Sequence, residues 1–193
     1  MIFTFLISLY ICIIFHELGH LLAAKLVKCK VEVFSIGFGK ELFSFNYKGT
    51  KYRIALFPLG GFNKLKDELS YSRSKYAFTN LKYRDKLFII STGCAINIFM
   101  GLIAFNLGKY FLNYNLYYFG WLSLALGITN FLPIAPCLDG GYAVWMPIYF
   151  KLYGKGKGLI KFEKANKISF IILMILNILC IPLLIKLIIQ GAL

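Results

Sequence analysis

His16, Glu17 and His20 are the residues of this chain best suited by type and spacing to do chemistry, and they sit in an oily segment, IIFHELGHLLAAK, residues 13–25. The chain has 193 residues and no other histidine. On an α-helix, residues four apart lie about 40° round and about 6 Å along the axis, so both imidazoles project from one face and can reach one metal ion. Glu17 then stands beside the metal rather than on it, where a general base would be placed. Zinc suits imidazole ligands, and a catalytic zinc keeps three protein ligands and one open position. Two histidines in bundle-type hydrogen bonds are the competing reading. Random placement gives this spacing with Glu next to the first histidine about twice in 10,000 trials, which weighs against it.

The third ligand has to come from elsewhere. The eight acidic residues are Glu17, Glu32, Glu41, Asp67, Glu68, Asp85, Asp139 and Glu163, and only Glu17 and Asp139 lie within or at the edge of an apolar run. A carboxylate in that setting is costly unless it is paired, so Asp139 is the candidate, with one zinc expected per chain. Asp85 lies among Lys82, Arg84 and Lys86 and reads as an interfacial charge.

The elements that must position these groups are membrane-spanning. Hydrophobic residues make up 59% of the chain, more than a soluble domain of this length can bury. Apart from HELGH, residues 1–24 carry no charged side chain, and 87–108, 110–138 and 168–185 carry none at all. Crossing roughly 30 Å of hydrocarbon takes about 20 helical residues, which predicts four spans, about 2–27, 86–108, 114–136 and 168–190. The first run lacks the basic start of a cleaved signal and is read as a span. The fold class expected is an all-α bundle of these spans in a single membrane-embedded domain, 1–193. A membrane-associated β-hairpin interrupts it between spans one and two.

That hairpin, about 32–62, is read from the alternation in LFSFNY and YRIALF around the turn KGT, followed by a bend at Gly60-Gly61. Residues 63–86 read as a loop with some helix, and 151–167 as a basic flexible linker. Pro133 and Pro136 forbid a regular helix near Asp139, and Pro182 should kink the last span. Of the 22 Lys and Arg, 13 fall in residues 28–86 and six in 151–167. This is the positive-inside pattern of a bacterial-type cell membrane protein: N-terminus outside, both basic regions and the site toward the cytosol. The surplus charge is assigned to the anionic lipid bilayer surface and not to nucleic acid. The five scattered cysteines show no metal or disulfide spacing and read as packing residues.

HELGH, SIGFG (35–39), YRIALFPLGG (52–61), STGCAIN (91–97) and NFLPIAPCLDGG (130–141), in this order, resemble the site-2 protease family of intramembrane zinc metalloproteases. The resemblance implies zinc held by His16, His20 and the Asp139 of the LDG motif. It also implies Asn97 and Asn130 near the substrate or its oxyanion, and a transmembrane protein as substrate, with membrane regulatory partners. Two positions depart from the family pattern: Cys94 replaces a proline, and Cys137 reads as an extra residue before Asp139. Only about five residues, Lys109 to Asn113, separate spans two and three, so the PDZ domain of one branch is not expected there. The pattern is closer to the minimal branch that processes transcription-factor precursors in sporulation.

The function expected is intramembrane zinc-dependent cleavage of a membrane-spanning or membrane-tethered protein near the cytosolic face, with a released transcription-factor precursor as the product. Glu17 is the expected catalytic base. An unwound substrate would add as a strand to the hairpin at Ile54 and Leu56, with Gly60 and Gly61 allowing close backbone approach. The alternatives are a non-catalytic binder of membrane segments and a metal carrier of the same fold. A carrier should place ionisable groups on several spans, whereas here two places carry them.

Overall fold

The computed structural model describes residues 2–68 and 73–189, and the chain divides into two compact units, Met1–Leu132 and Pro133–Leu193. The first unit holds α1 (Ile2–Leu26), β1 (Val31–Tyr47), β2 (Thr50–Leu65), a 3-10 turn (Phe78–Asn80), α2 (Tyr83–Tyr110) and α3 (Tyr114–Phe131). The second holds α4 (Asp139–Tyr153) and α5 (Lys155–Ile189). The protein is thus mostly helical with one sheet.

α1 is apolar almost throughout and ends where Lys28 turns left-handed at φ 60°, with Cys29 N–H bonding back to the Ala24 carbonyl at 2.8 Å. α1 and α2 are long and apolar enough to cross a membrane, and much of their surface faces outward, with Phe3 77% and Phe99 66% exposed. That exposure suits a lipid environment better than water. Among the described residues these two helices meet the length-and-apolarity test. α3 covers the expected third span but stops at Phe131, five residues early, because Pro133 cannot continue it. Asn113 caps its start, accepting from Leu116 N–H at 3.1 Å.

The sheet is larger than the expected hairpin. β1 and β2 turn at Lys48-Gly49, and residues 41–47 pair antiparallel with 50–55. Both strands then bend back, so Val31–Ile36 pairs antiparallel with Gly61–Leu65. Residues 33–36 also face Lys51–Ile54, with both numbers rising together. The bend in β1 is made at Gly37 and Gly39, whose φ of 91° and 84° a side chain resists. Gly60-Gly61, expected as a bend, lies inside β2 instead. Thr50 ties the turn of the sheet to the Val31 carbonyl at 2.9 Å, and Phe78, 1% exposed, is buried in the following 3-10 turn.

The second unit corrects the reading of 151–167 as a flexible linker. Residues 139–153 form α4, and α5 begins at Lys155, with Gly154 at φ 73° between them. The basic residues of 151–167 lie on helices whose other faces are apolar: Phe162, fully buried, packs edge-on against Tyr142 and Tyr149 at 5.0 and 5.9 Å. The lysines masked that pattern. Pro182 falls within α5.

Candidate active site

α1 crosses α2 closely because glycines meet at the crossing. A Cβ on Gly19 would lie 3.0 Å from the Gly93 Cα, and one on Gly93 would collide with the His20 ring. This contact buries His16, Glu17 and His20 to 8%, 7% and 8% exposure. Buried polar groups need partners, and those described here are specific. His20 Nδ1–H donates to the Ile89 carbonyl of α2 at 2.8 Å, which leaves the Nε2 lone pair of His20 for another role. His20 Nε2 lies 3.2 Å from His16 Nε2, with the rings edge to face. Zinc–nitrogen bonds of about 2.0–2.1 Å at tetrahedral angles separate two ligand nitrogens by roughly 3.3–3.4 Å, so this pair fits one zinc. On the far side of His16, the Asn97 amide nitrogen stands 3.4 Å from Nδ1.

Glu17 is held by the sheet. The Asn63 side-chain N–H₂ donates to the Glu17 carboxylate and to the Glu17 main-chain carbonyl, each at 2.9 Å. Gly61, next but one along β2, leaves room for that carboxylate: a Cβ there would lie 2.6 Å from Glu17 Cγ. Sequence alone does not single out Asn63, because residues 63–86 read as a loop, whereas β2 runs on to Leu65. The one signal available was that it continues the strand alternation of β2.

The structure therefore gathers His16, Glu17, His20, Gly61 and Asn97 in the first unit. Gly60 packs instead on the Phe38 ring. Ile54 and Leu56 are 44% and 48% exposed, but the backbone of Ile54 pairs with both Phe43 and Ile36 and is engaged on both sides. Asn130 lies in the last turn of α3. Asp139 opens α4 in the second unit, where a helix N-terminus favours a carboxylate. The turn before it is tight, with Leu138 N–H on the Ala135 carbonyl at 3.0 Å and no space for a side chain on Gly141. Asp139, like the two imidazoles, is of a donor type that zinc accepts.

The Peptidase family M50 profile matches residues 4–116, more than half of the chain. The chain belongs to Peptidase family M50, the site-2 protease family. The match takes in the HELGH helix, the sheet and α2, and it ends before Asn130 and Asp139. A Campylobacter jejuni protein with the provisional name zinc metalloprotease is 43% identical over 105 residues, 50% of this chain and 28% of that protein. The regulator of sigma-E protease of Salmonella typhimurium is 33% identical over 136 residues, 68% of this chain and 27% of that protein. Its Escherichia coli counterpart is 32% identical over the same length. The chain spans under a third of the length of these curated relatives. Membership in a family of zinc metalloproteases implies zinc, and the paired imidazoles fit it.

Proposed function

We propose that this chain is an intramembrane zinc endopeptidase that cuts a membrane-spanning or membrane-tethered protein near the cytosolic face. The observation that carries it is the pair of buried imidazoles with Nε2 atoms 3.2 Å apart, beside a carboxylate that Asn63 clamps. The proposed ligands are His16, His20 and Asp139, one zinc per chain. When bound, the ion supplies Lewis-acid activation of a water molecule and of the scissile carbonyl. Glu17 accepts the proton of that water and delivers it to the leaving amine. Asn63 holds the accepting oxygen in place for both transfers, and Asn130 is assigned to the substrate side.

A helical substrate must unwind before its carbonyl is accessible, and its freed backbone groups then need partners. With Ile54 engaged on both sides, an added strand would pair with an outer segment, and Gly61–Leu65 is the one beside Glu17. Asn63 Oδ1, buried with no hydrogen-bond partner among the described residues, is an acceptor for a substrate N–H there. The substrate class the resemblance implies is a membrane-tethered precursor, such as a transcription factor, with membrane regulatory partners. The site faces the cytosol by the positive-inside distribution of charge.

Glu17→Gln tests this reading. Purified with zinc and co-produced with a tethered substrate, the variant should keep its metal and lose about 10²–10⁴-fold in cleavage rate, with uncut substrate accumulating. Undiminished cleavage by zinc-loaded Glu17→Gln would remove Glu17 from the chemistry. A metal carrier predicts loss of transport in His16→Ala but not in Glu17→Gln, and a binder predicts no cleavage by either form.

A further inference from the structure

The geometry points to Asn97 as a positioning residue for the metal site, one whose amide holds His16 with Nε2 toward the metal. The inference rests on the reading of His16 and His20 as ligands. An imidazole that binds through Nε2 carries its proton on Nδ1, and that proton needs an acceptor. For His20 the acceptor is the Ile89 carbonyl, at 2.8 Å. For His16 a polar group beside Nδ1 is the Asn97 amide, at 3.4 Å and 1% exposed. Ile89, Gly93 and Asn97 are spaced four apart on α2, so one stripe of that helix backs both rings. Gly93, in the middle, has no side chain to keep His20 from the carbonyl one turn earlier.

The amide nitrogen, not the oxygen, faces His16, and Asn97 Oδ1 is buried without a hydrogen-bond partner among the described residues. Binding through Nε2 needs the His16 tautomer with its proton on Nδ1, the ring staying neutral. A half-turn of the Asn97 side-chain amide presents Oδ1 to that N–H. An amide can meet both tautomers because one end donates and the other accepts. An apolar residue meets neither, and a carboxylate meets the metal-binding tautomer alone.

The experiment uses the full chain in detergent, with zinc affinity measured by chelator competition and imidazole tautomers read from ¹⁵N shifts. Zinc-loaded wild type should show both histidines protonated on Nδ1. Asn97→Leu should lose roughly ten- to a hundredfold in zinc affinity, as other losses of a ligand's hydrogen-bond partner do. Asn97→Asp should retain the affinity. Ser123→Ala should retain it too, since Ser123 Oγ bonds the main-chain carbonyl of Asn97 at 2.8 Å and not its amide. Wild-type affinity in Asn97→Leu overturns the inference, as does a zinc-loaded wild type with His16 unprotonated at Nδ1. Should Asn97→Leu not fold, a tenfold or greater loss in Asn97→Asp overturns it as well. A wild type that takes up no zinc defeats the proposed function itself, a separate outcome.

Discussion

At the scale of single residues, the site depends on groups that no metal-binding pattern names. Asn63 donates to Glu17 twice from a neighbouring strand, so it fixes where the carboxylate sits. Asn63→Leu should leave zinc content at the wild-type level and slow cleavage of a tethered substrate by about tenfold or more, the scale at which a misplaced catalytic group is felt. Asn63→Asp should be worse, since it sets a second carboxylate against the first. Equal rates in all three proteins would reduce the clamp to packing. Gly93 gives a second residue-level test. A methyl group there would lie 2.6 Å from His20 Cε1 and 2.9 Å from the His16 carbonyl, so Gly93→Ala should force α1 and α2 apart. Overpacking of this kind costs about 1–3 kcal/mol. Zinc analysis and thermal unfolding should both show the loss.

At the scale of elements, the sheet brings Asn63 to α1 only because β1 bends. Gly37 makes that bend with φ of 91°, and an added Cβ would lie 2.9 Å from the carbonyl oxygens of Ala55 and Phe57. Gly37→Ala should therefore cost about 1–3 kcal/mol of backbone strain, read as a lower unfolding temperature. It should also slow cleavage through Asn63. At the far end of the sheet, Lys51 bonds Glu41 at 2.7 Å and Ser44 adds a second donor, which together hold this exposed carboxyl below its ordinary value of 4.5. The sign follows from linkage. A folded pKa lower than the unfolded one gives stability that is present above 4.5 and lost as pH falls through the folded value. Amide exchange at the tip should accelerate over that window in the wild type relative to Glu41→Gln, which lacks the titrating group.

For the whole molecule, the proposed orientation in the membrane rests on charge. Nineteen of the 22 basic residues lie in 28–86 and 151–167, and the proposed topology places both regions in the cytosol on the positive-inside rule. In intact cells Lys75→Cys should resist an impermeant thiol reagent added outside and react once the membrane is opened. Labelling from outside would reverse the proposed topology. Cys29 should contribute little background: it is 3% exposed, and burial, with Glu68 adding to it, pushes its thiol up to about 11. Thiolate, the reactive form, is then scarce at neutral pH.

Much of this protein was legible in the order of its residues. His16, Glu17 and His20 are set by helical spacing, which is local, and the apolar runs that become α1, α2 and α3 declare themselves through the same kind of short-range signal. The opening strand pair around Lys48-Gly49 was equally plain, because alternation and a turn need no distant partner. What only the tertiary structure decided depends on residues far apart in the chain. The return of β1 onto Gly61–Leu65 sets Asn63, 46 positions from Glu17, against its carboxylate. The Ile89 carbonyl that orients His20 is a backbone group, which carries no side-chain signature at all. The end of α4 and the start of α5 were hidden because six lysines and three glycines crowd residues 151–167, and composition averaged over that stretch reads as a basic linker. Spacing along a chain determines which groups share a face of one element, whereas partners across elements are chosen by packing, which acts through space.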